Sequence, residues 1–171
     1  MRTHPNQRRL SVSTWSLHRS LGKPAPYGPA EERSTSREPV NQPAFTLLEL
    51  PARIAEAGIH TLEICHFHLP SREAAYLRQL RSAIEAADVE LWSLLIDSGD
   101  ISHPQQHERD TAWSEGWLDV AAQLGAKNAR ISGGKQAPTA EALARSARNF
   151  SRLADAAQAR NVRLMTENWH D

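Results

Sequence analysis

Apolar residues return along this chain in two alternating rhythms. Runs of strand length, Leu10 to Trp15, His60 to Cys65, Val89 to Asp97, Ala129 to Ser132 and Val162 to Glu167, alternate with stretches where apolar positions recur every three or four residues. The first rhythm predicts strands and the second predicts helices. VELWSLLID, starting at Val89, is apolar nearly throughout, as expected for a strand covered on both faces of a parallel sheet. Behind Pro51, Leu50, Ile54 and Ala57 share a helical face that stops at Gly58. Leu77, Leu80, Ile84 and Ala87 form a second such face, for which Ser71 is the expected N-cap. Trp113, Trp117, Val120 and Leu124 make a third, ended by Gly125, and are expected to pack in the core rather than stack on a ligand. Thr139 is expected to cap a fourth, whose face carries Leu143, Ala147, Phe150, Ala154 and Ala157.

The order is therefore strand and helix in strict alternation, which defines an α/β protein. Each helix is long enough to cross over between parallel strands. A complete (β/α)8 barrel takes about 250 residues, and the 171 residues here have room for four units and a final strand. The expectation is a single incomplete TIM-barrel domain over residues 1–171, with about five parallel strands and four helices. A doubly wound sheet of five strands has the same periodicity and is the alternative. One segment, His18 to Phe45, has neither rhythm. It is dense in Pro, Gly, Ser and charge, and is expected to be a flexible insertion at about 18–45 lacking a core of its own.

Charge narrows the partners. Lys and Arg number 20 and Asp and Glu number 20, so no net field favours nucleic acid or an anionic membrane, and a small molecule is the expected partner. The single cysteine, Cys65, cannot form an internal disulfide, and the first residues lack the apolar run of a signal peptide. A cytoplasmic location is the expectation.

In either architecture, ligands bind at the carboxyl ends of the strands. Those ends bring Trp15 and His18, then His66 and His68, then Asp97, Asp100 and His103, then Ser132 to Lys135, and finally Glu167, Asn168 and His170. Oxygen and nitrogen donors without thiolate clusters suit Mn2+, Mg2+, Co2+ or Zn2+, and the same groups suit proton transfer. Glu167 stands out, because a carboxylate at the end of an apolar strand is costly to desolvate unless paired or bound to a cation. Trp15 and His68 are candidate substrate contacts, whereas His18, His103 and His107 are expected to be hydrogen-bonded rim residues. Gly133-Gly134-Lys135 lacks both phosphate-loop fingerprints and is expected to be a simple turn.

The ordered set AGIHTLEICHFHLPS, VELWSLLIDSGDIS, AAQLGAKNARISGG and ARNVRLMTENWHD resembles the sugar phosphate isomerase/epimerase family, the xylose isomerase-like TIM barrels. The resemblance covers the chain apart from the insertion. It implies that Glu167 is both a metal ligand and a catalytic carboxylate, that Asn168 and His170 are the polar residues following it, and that His68 lines the substrate pocket. It implies a metal-dependent isomerase or epimerase of a sugar or sugar phosphate, acting by proton transfer beside a carbonyl. The remaining ligands would come from strands six to eight, so the chain is expected to be inactive alone and to self-associate through open barrel edges. Two alternatives stand beside this reading. One is an endonuclease IV-like metal-dependent phosphodiesterase recruiting His66 or His68, His103 and Glu167, and the other is a non-catalytic half-barrel.

Overall fold

The computed structural model describes residues 10–30 and 40–167. Five strands, β1 (Val12–Ser13), β2 (Thr61–Cys65), β3 (Glu90–Ile96), β4 (Asn128–Ser132) and β5 (Arg163–Glu167), lie side by side in chain order, each parallel to the next. Helices α1 (Leu50–Glu56), α2 (Ala74–Ala86), α3 (His107–Leu124) and α4 (Ala140–Ala159) connect them. Sequential order without reversal is the wall of a (β/α)8 barrel, and it rules out the doubly wound alternative, whose strand order switches direction.

The register sorts the strand residues onto two faces. Ile64, Leu94, Ala129 and Leu164 pair across one row, and Ile96 and Ile131 across the next. This is the face the helices cover. Leu62, Ile64, Leu94, Ile96, Ala129 and Ile131 are almost fully buried there with Leu77, Leu80, Trp117, Leu118, Leu124 and Leu153. On the opposite face the rows are Cys65, Leu95, Arg130 and Met165, and then, at the carboxyl ends, Ser132 beside Glu167. Helix geometry follows local signals. Pro51 sits in the first turn of α1, and Thr139 Oγ1 accepts from the Ala142 N–H at the start of α4. Gly125 closes α3 with a φ of 76°.

Two expectations are corrected. Ser71 does not cap α2; its hydroxyl accepts from the Glu73 N–H at 3.0 Å, and the helix starts after Glu73. The buried face of α4 is rotated from the expected stripe and carries Ala142, Asn149, Leu153 and Ala157, leaving Leu143 58% exposed. The polar member of that face earns its burial, since Asn149 Nδ2 donates to the Ile101 carbonyl at 2.8 Å. Where it is described, the segment 18–45 packs on the rest of the chain: Leu21 and Tyr27 are buried, and the Tyr27 ring meets His66 and Trp117 at 5.2 and 6.3 Å. After Cys65 the chain makes a 3-10 turn, His66–His68.

The turns at the carboxyl ends are tied together by one carboxylate. Asp100 Oδ1 accepts from the Ser102 N–H (3.0 Å), the Ser102 hydroxyl (2.6 Å) and the Lys135 N–H (3.0 Å), while Oδ2 accepts from Gln136 Nε2 (2.6 Å). This joins the turn after β3 to the turn after β4. The approach is close enough that a side chain at Gly134, with φ 141°, would put its Cβ 2.5 Å from the Ser102 hydroxyl. Burial opposes ionisation of Asp100, yet the donors from Ser102, Gln136 and Lys135 outweigh it and hold the carboxyl below its ordinary value. Asp100→Ala should cost on the order of 3 kcal/mol at pH 7, measured by urea unfolding. Because the folded value is the lower one, that contribution is complete above the unfolded value of about 4 and is lost as pH falls through the folded one. The gap between wild type and variant should therefore narrow in acid, and a gap that does not change with pH would contradict the assignment.

A candidate active site at the carboxyl ends of the strands

A cavity of about 640 Å³ opens on the inner face of the sheet, lined by residues of all five strands and their following turns. Ser13, Trp15 and Ser16 come from β1 and its turn, Glu63 and Cys65 from β2, Leu95, Asp97 and Ser98 from β3, Arg130 from β4 and Glu167 from β5. A second space of about 640 Å³ lies at the amino ends of β3 to β5 among Glu90, Lys127 and Arg163. The carboxyl end is where barrels of this kind place their chemistry, so the first cavity is the candidate site.

Its geometry follows from the register. Arg130 sits between Leu95 on β3 and Met165 on β5. Asp97 and Glu167 stand two residues further along those neighbours, about 6.6 Å up the strands, a step the arginine stem can span. The guanidinium hydrogen-bonds both: Nη2 donates to Asp97 Oδ1 and Nη1 to Glu167 Oε2. The Arg130 and Asp97 side chains are 19% and 20% exposed, Glu167 47%. Glu63 completes the set of carboxyls. Burial raises its pKa, Arg130 opposes the rise and Glu167 adds to it, so Glu63 keeps its proton to higher pH than an ordinary glutamate. Cys65 is pushed up to about 11, by burial first and then by Asp97, so it faces the cavity as a thiol rather than a thiolate.

The other sequence candidates are distributed unevenly around this centre. Trp15, 58% exposed, shares the cavity with Glu167 and stacks on His18 with ring centroids 5.2 Å apart. His68 lies behind it, lining a separate space of about 310 Å³ with Leu21, Phe45 and Tyr76. Thr14 Oγ1 accepts from the Cys65 N–H at 2.9 Å and lies 3.0 Å from His68 Nδ1. His68 Nε2 lies 3.0 Å from His18 Nδ1 on the other side of the ring. His66 is fully buried, donating from Nε2 to the Tyr27 carbonyl (2.8 Å) and accepting at Nδ1 from the Asp97 N–H (3.3 Å). Burial holds its pKa below the ordinary value. His66 is thus a bracket between the segment at Tyr27 and the end of β3. His103 and His107 are also spoken for: His103 Nδ1 accepts from the Gln105 and Gln106 N–H groups, and His107 pairs with Asn149. The turn at Gly133 points its next amides at Asp100 and Ser102, leaving them no role in holding an anion. Asn168 and His170 lie outside the described residues.

Among the described residues, no three of His, Cys, Asp and Glu come together in a group that could hold a metal ion. His66, His68, His103 and Glu167 do not converge, so the phosphodiesterase arrangement has no support in the geometry. Among the described residues, the charge lying between Asp97 and Glu167 is the Arg130 guanidinium, and these residues alone do not form a cation site. Arg130 is the functional residue that sequence reasoning passed over. Its signal was a charged residue inside the short strand NARIS, which cannot be buried between two strands without partners.

Parallel strands in sequential order, helices on one face and a polar cavity at the carboxyl ends define a TIM-barrel wall. The sequence profile of the xylose isomerase-like TIM barrel family matches residues 51–171, and the chain belongs to that family. No curated protein matches the chain. Solved structures similar to it include L-ribulose 3-epimerase, with TM-score 0.63, 18% identity and 94% of this chain on 49% of that one. A sugar phosphate isomerase/epimerase from Parabacteroides distasonis gives 0.63, 12% identity and 96% of this chain on 53% of that one. D-psicose 3-epimerase in the presence of D-fructose gives 0.61, 18% identity and 71% on 46%. The chain spans about half the length of these structures.

The buried histidine pair yields a direct check. Burial, with His18 and His66 adding to it, lowers the His68 pKa to about 3. The ring should stay neutral from pH 5 to 8, with flat 15N chemical shifts. A titration midpoint near 6 would contradict the assignment. Since the folded value lies below the unfolded one of about 6.5, the His68 contribution to stability is complete above pH ~6.5 and declines as pH falls from there.

Proposed function

We propose that this protein works in the isomerisation or epimerisation of a sugar, with Glu167 moving a proton at the carbon beside a carbonyl. The observation that supports this most is the cavity itself. It places the Glu167 and Glu63 carboxyls, the Ser13, Ser16 and Ser98 side chains and the Trp15 ring around one space of about 640 Å³. Hydroxyls and carboxyls suit the hydroxyl groups of a sugar, an indole face suits its C–H surface, and a carboxylate suits proton exchange beside a carbonyl. The family membership and the sugar epimerases among the similar structures agree with the reading.

An unphosphorylated sugar is favoured over a sugar phosphate. The cationic side chain lining the cavity is Arg130, and two carboxylates already occupy its guanidinium. Among the described lining residues, a phosphate would meet the carboxyls of Glu63, Asp97 and Glu167, with Arg130 already engaged by two of them. Of the substrate contacts expected from sequence, Trp15 is retained in this reading. His68 acts one layer behind, through His18. The divalent cation implied for the complete barrel does not fit the described residues, and no step of the reading passes through one. No helix among the described residues is long and apolar enough to cross a membrane, which agrees with a small soluble substrate without locating the protein.

The test is a panel of free ketoses, aldoses and their phosphates incubated with the protein in D2O. Deuterium should enter a single C–H position of a free sugar, and Glu167→Gln should slow that exchange by about 10²–10⁴-fold. Exchange confined to phosphorylated sugars would overturn the substrate assignment. Exchange that survives Glu167→Gln would overturn the assigned base.

A further inference from the structure

The residue pattern of the cavity leads past its substrate. We propose that Arg130 is the internal cation of this site, its guanidinium holding the Asp97 and Glu167 carboxylates together and keeping a divalent ion from settling between them. Three observations carry this. The register sets Arg130 in the row below Asp97 and Glu167 on the same sheet face, so the two carboxylates flank the path of its stem. Its two terminal nitrogens are divided between them, one to each strand, which is a bridging arrangement and not a chance surface pair. And the other donors a metal would recruit are committed elsewhere: His66 to the Tyr27 carbonyl and the Asp97 N–H, His68 to Thr14 and His18.

A guanidinium differs from a metal in a way that matters for the site. It cannot lose its charge or dissociate, and it offers directional donors in a plane. A divalent ion approaching Glu167 from the cavity would have to sit beside this fixed positive charge or displace it. Removing the guanidinium reverses the situation. Glu63, Asp97 and Glu167 would then face one cavity with no counter-charge, a set of hard oxygen donors that attracts Mn2+, Mg2+ or Ca2+. Arg130 is a positioning residue in this account, because it acts through the two carboxylates. The inference is independent of the sugar reading, since it is read by metal binding and not by turnover.

The experiment measures Mn2+ binding by electron paramagnetic resonance, together with thermal melting, on the wild-type chain, Arg130→Met and Glu167→Gln. The wild type should leave Mn2+ free and melt at the same temperature with or without it. Arg130→Met should melt lower, bind Mn2+ at least ~10-fold more tightly than wild type and recover part of its melting temperature when Mn2+ is added. A folded Arg130→Met chain with no gain in Mn2+ affinity would overturn the proposal. So would a wild-type site whose Mn2+ signal is lost in Glu167→Gln. If Arg130→Met does not fold, Arg130→Gln takes its place and is read by the same two outcomes.

Discussion

A guanidinium set into the inner face of a parallel sheet is the constraint around which the carboxyl end of this molecule is arranged. Arginine stays charged at any pH the protein meets, so its burial between β3 and β5 requires carboxylates within reach. The register supplies them two residues along on each side. From that single requirement follow the orientation of Glu167, the position of Asp97 and the polarity of the cavity between them. A sheet face carrying only apolar residues would have packed into a conventional core. In this one the charges are satisfied within a layer of the sheet, and hydroxyls line the remaining space.

The rest of the fold holds that layer in place. The outer face is closed by apolar packing with Leu94, Leu118 and Trp117 near its middle, which fixes the strands' positions relative to one another. Two polar brackets then fix the turns. Asp100 ties the turn after β3 to the turn after β4, and His66 ties the end of β3 to the segment at Tyr27. Both act just beyond Asp97, so they restrain the strand end that presents it to Arg130. Membership of the xylose isomerase-like family agrees with a rim built this way, in which rigid strands aim side chains and stapled turns limit their motion.

Much of this architecture was legible in the sequence because hydrophobic period is a local property. Strand and helix order, the Thr139 cap, the Gly125 stop and the place of Glu167 at a strand end all come from residues close together in the chain. What was not legible depends on pairing between distant segments. Arg130 acquires meaning only when Leu95 and Met165 are known to flank it. Asn149 turns α4 away from its apparent apolar stripe because a carbonyl at Ile101 needs a donor. Tyr27 lies in a segment whose composition suggests no core, yet its partners His66 and Trp117 come from two other elements. The partners of His66 and His68 are likewise set by distant segments, since the 3-10 turn after β2 sends one ring to the Tyr27 carbonyl and the other to Thr14 and His18.

The central claim is that Arg130 and the strand-end carboxylates act as one unit. A double-mutant cycle with Asp97→Asn and Arg130→Met, followed by urea unfolding, tests it most directly. The account predicts a coupling energy of about 1 kcal/mol or more between the two positions, with the paired variant less destabilised than the sum of the single ones. Additivity to within ~0.3 kcal/mol would mean the two side chains are neighbours without being partners, and would contradict it.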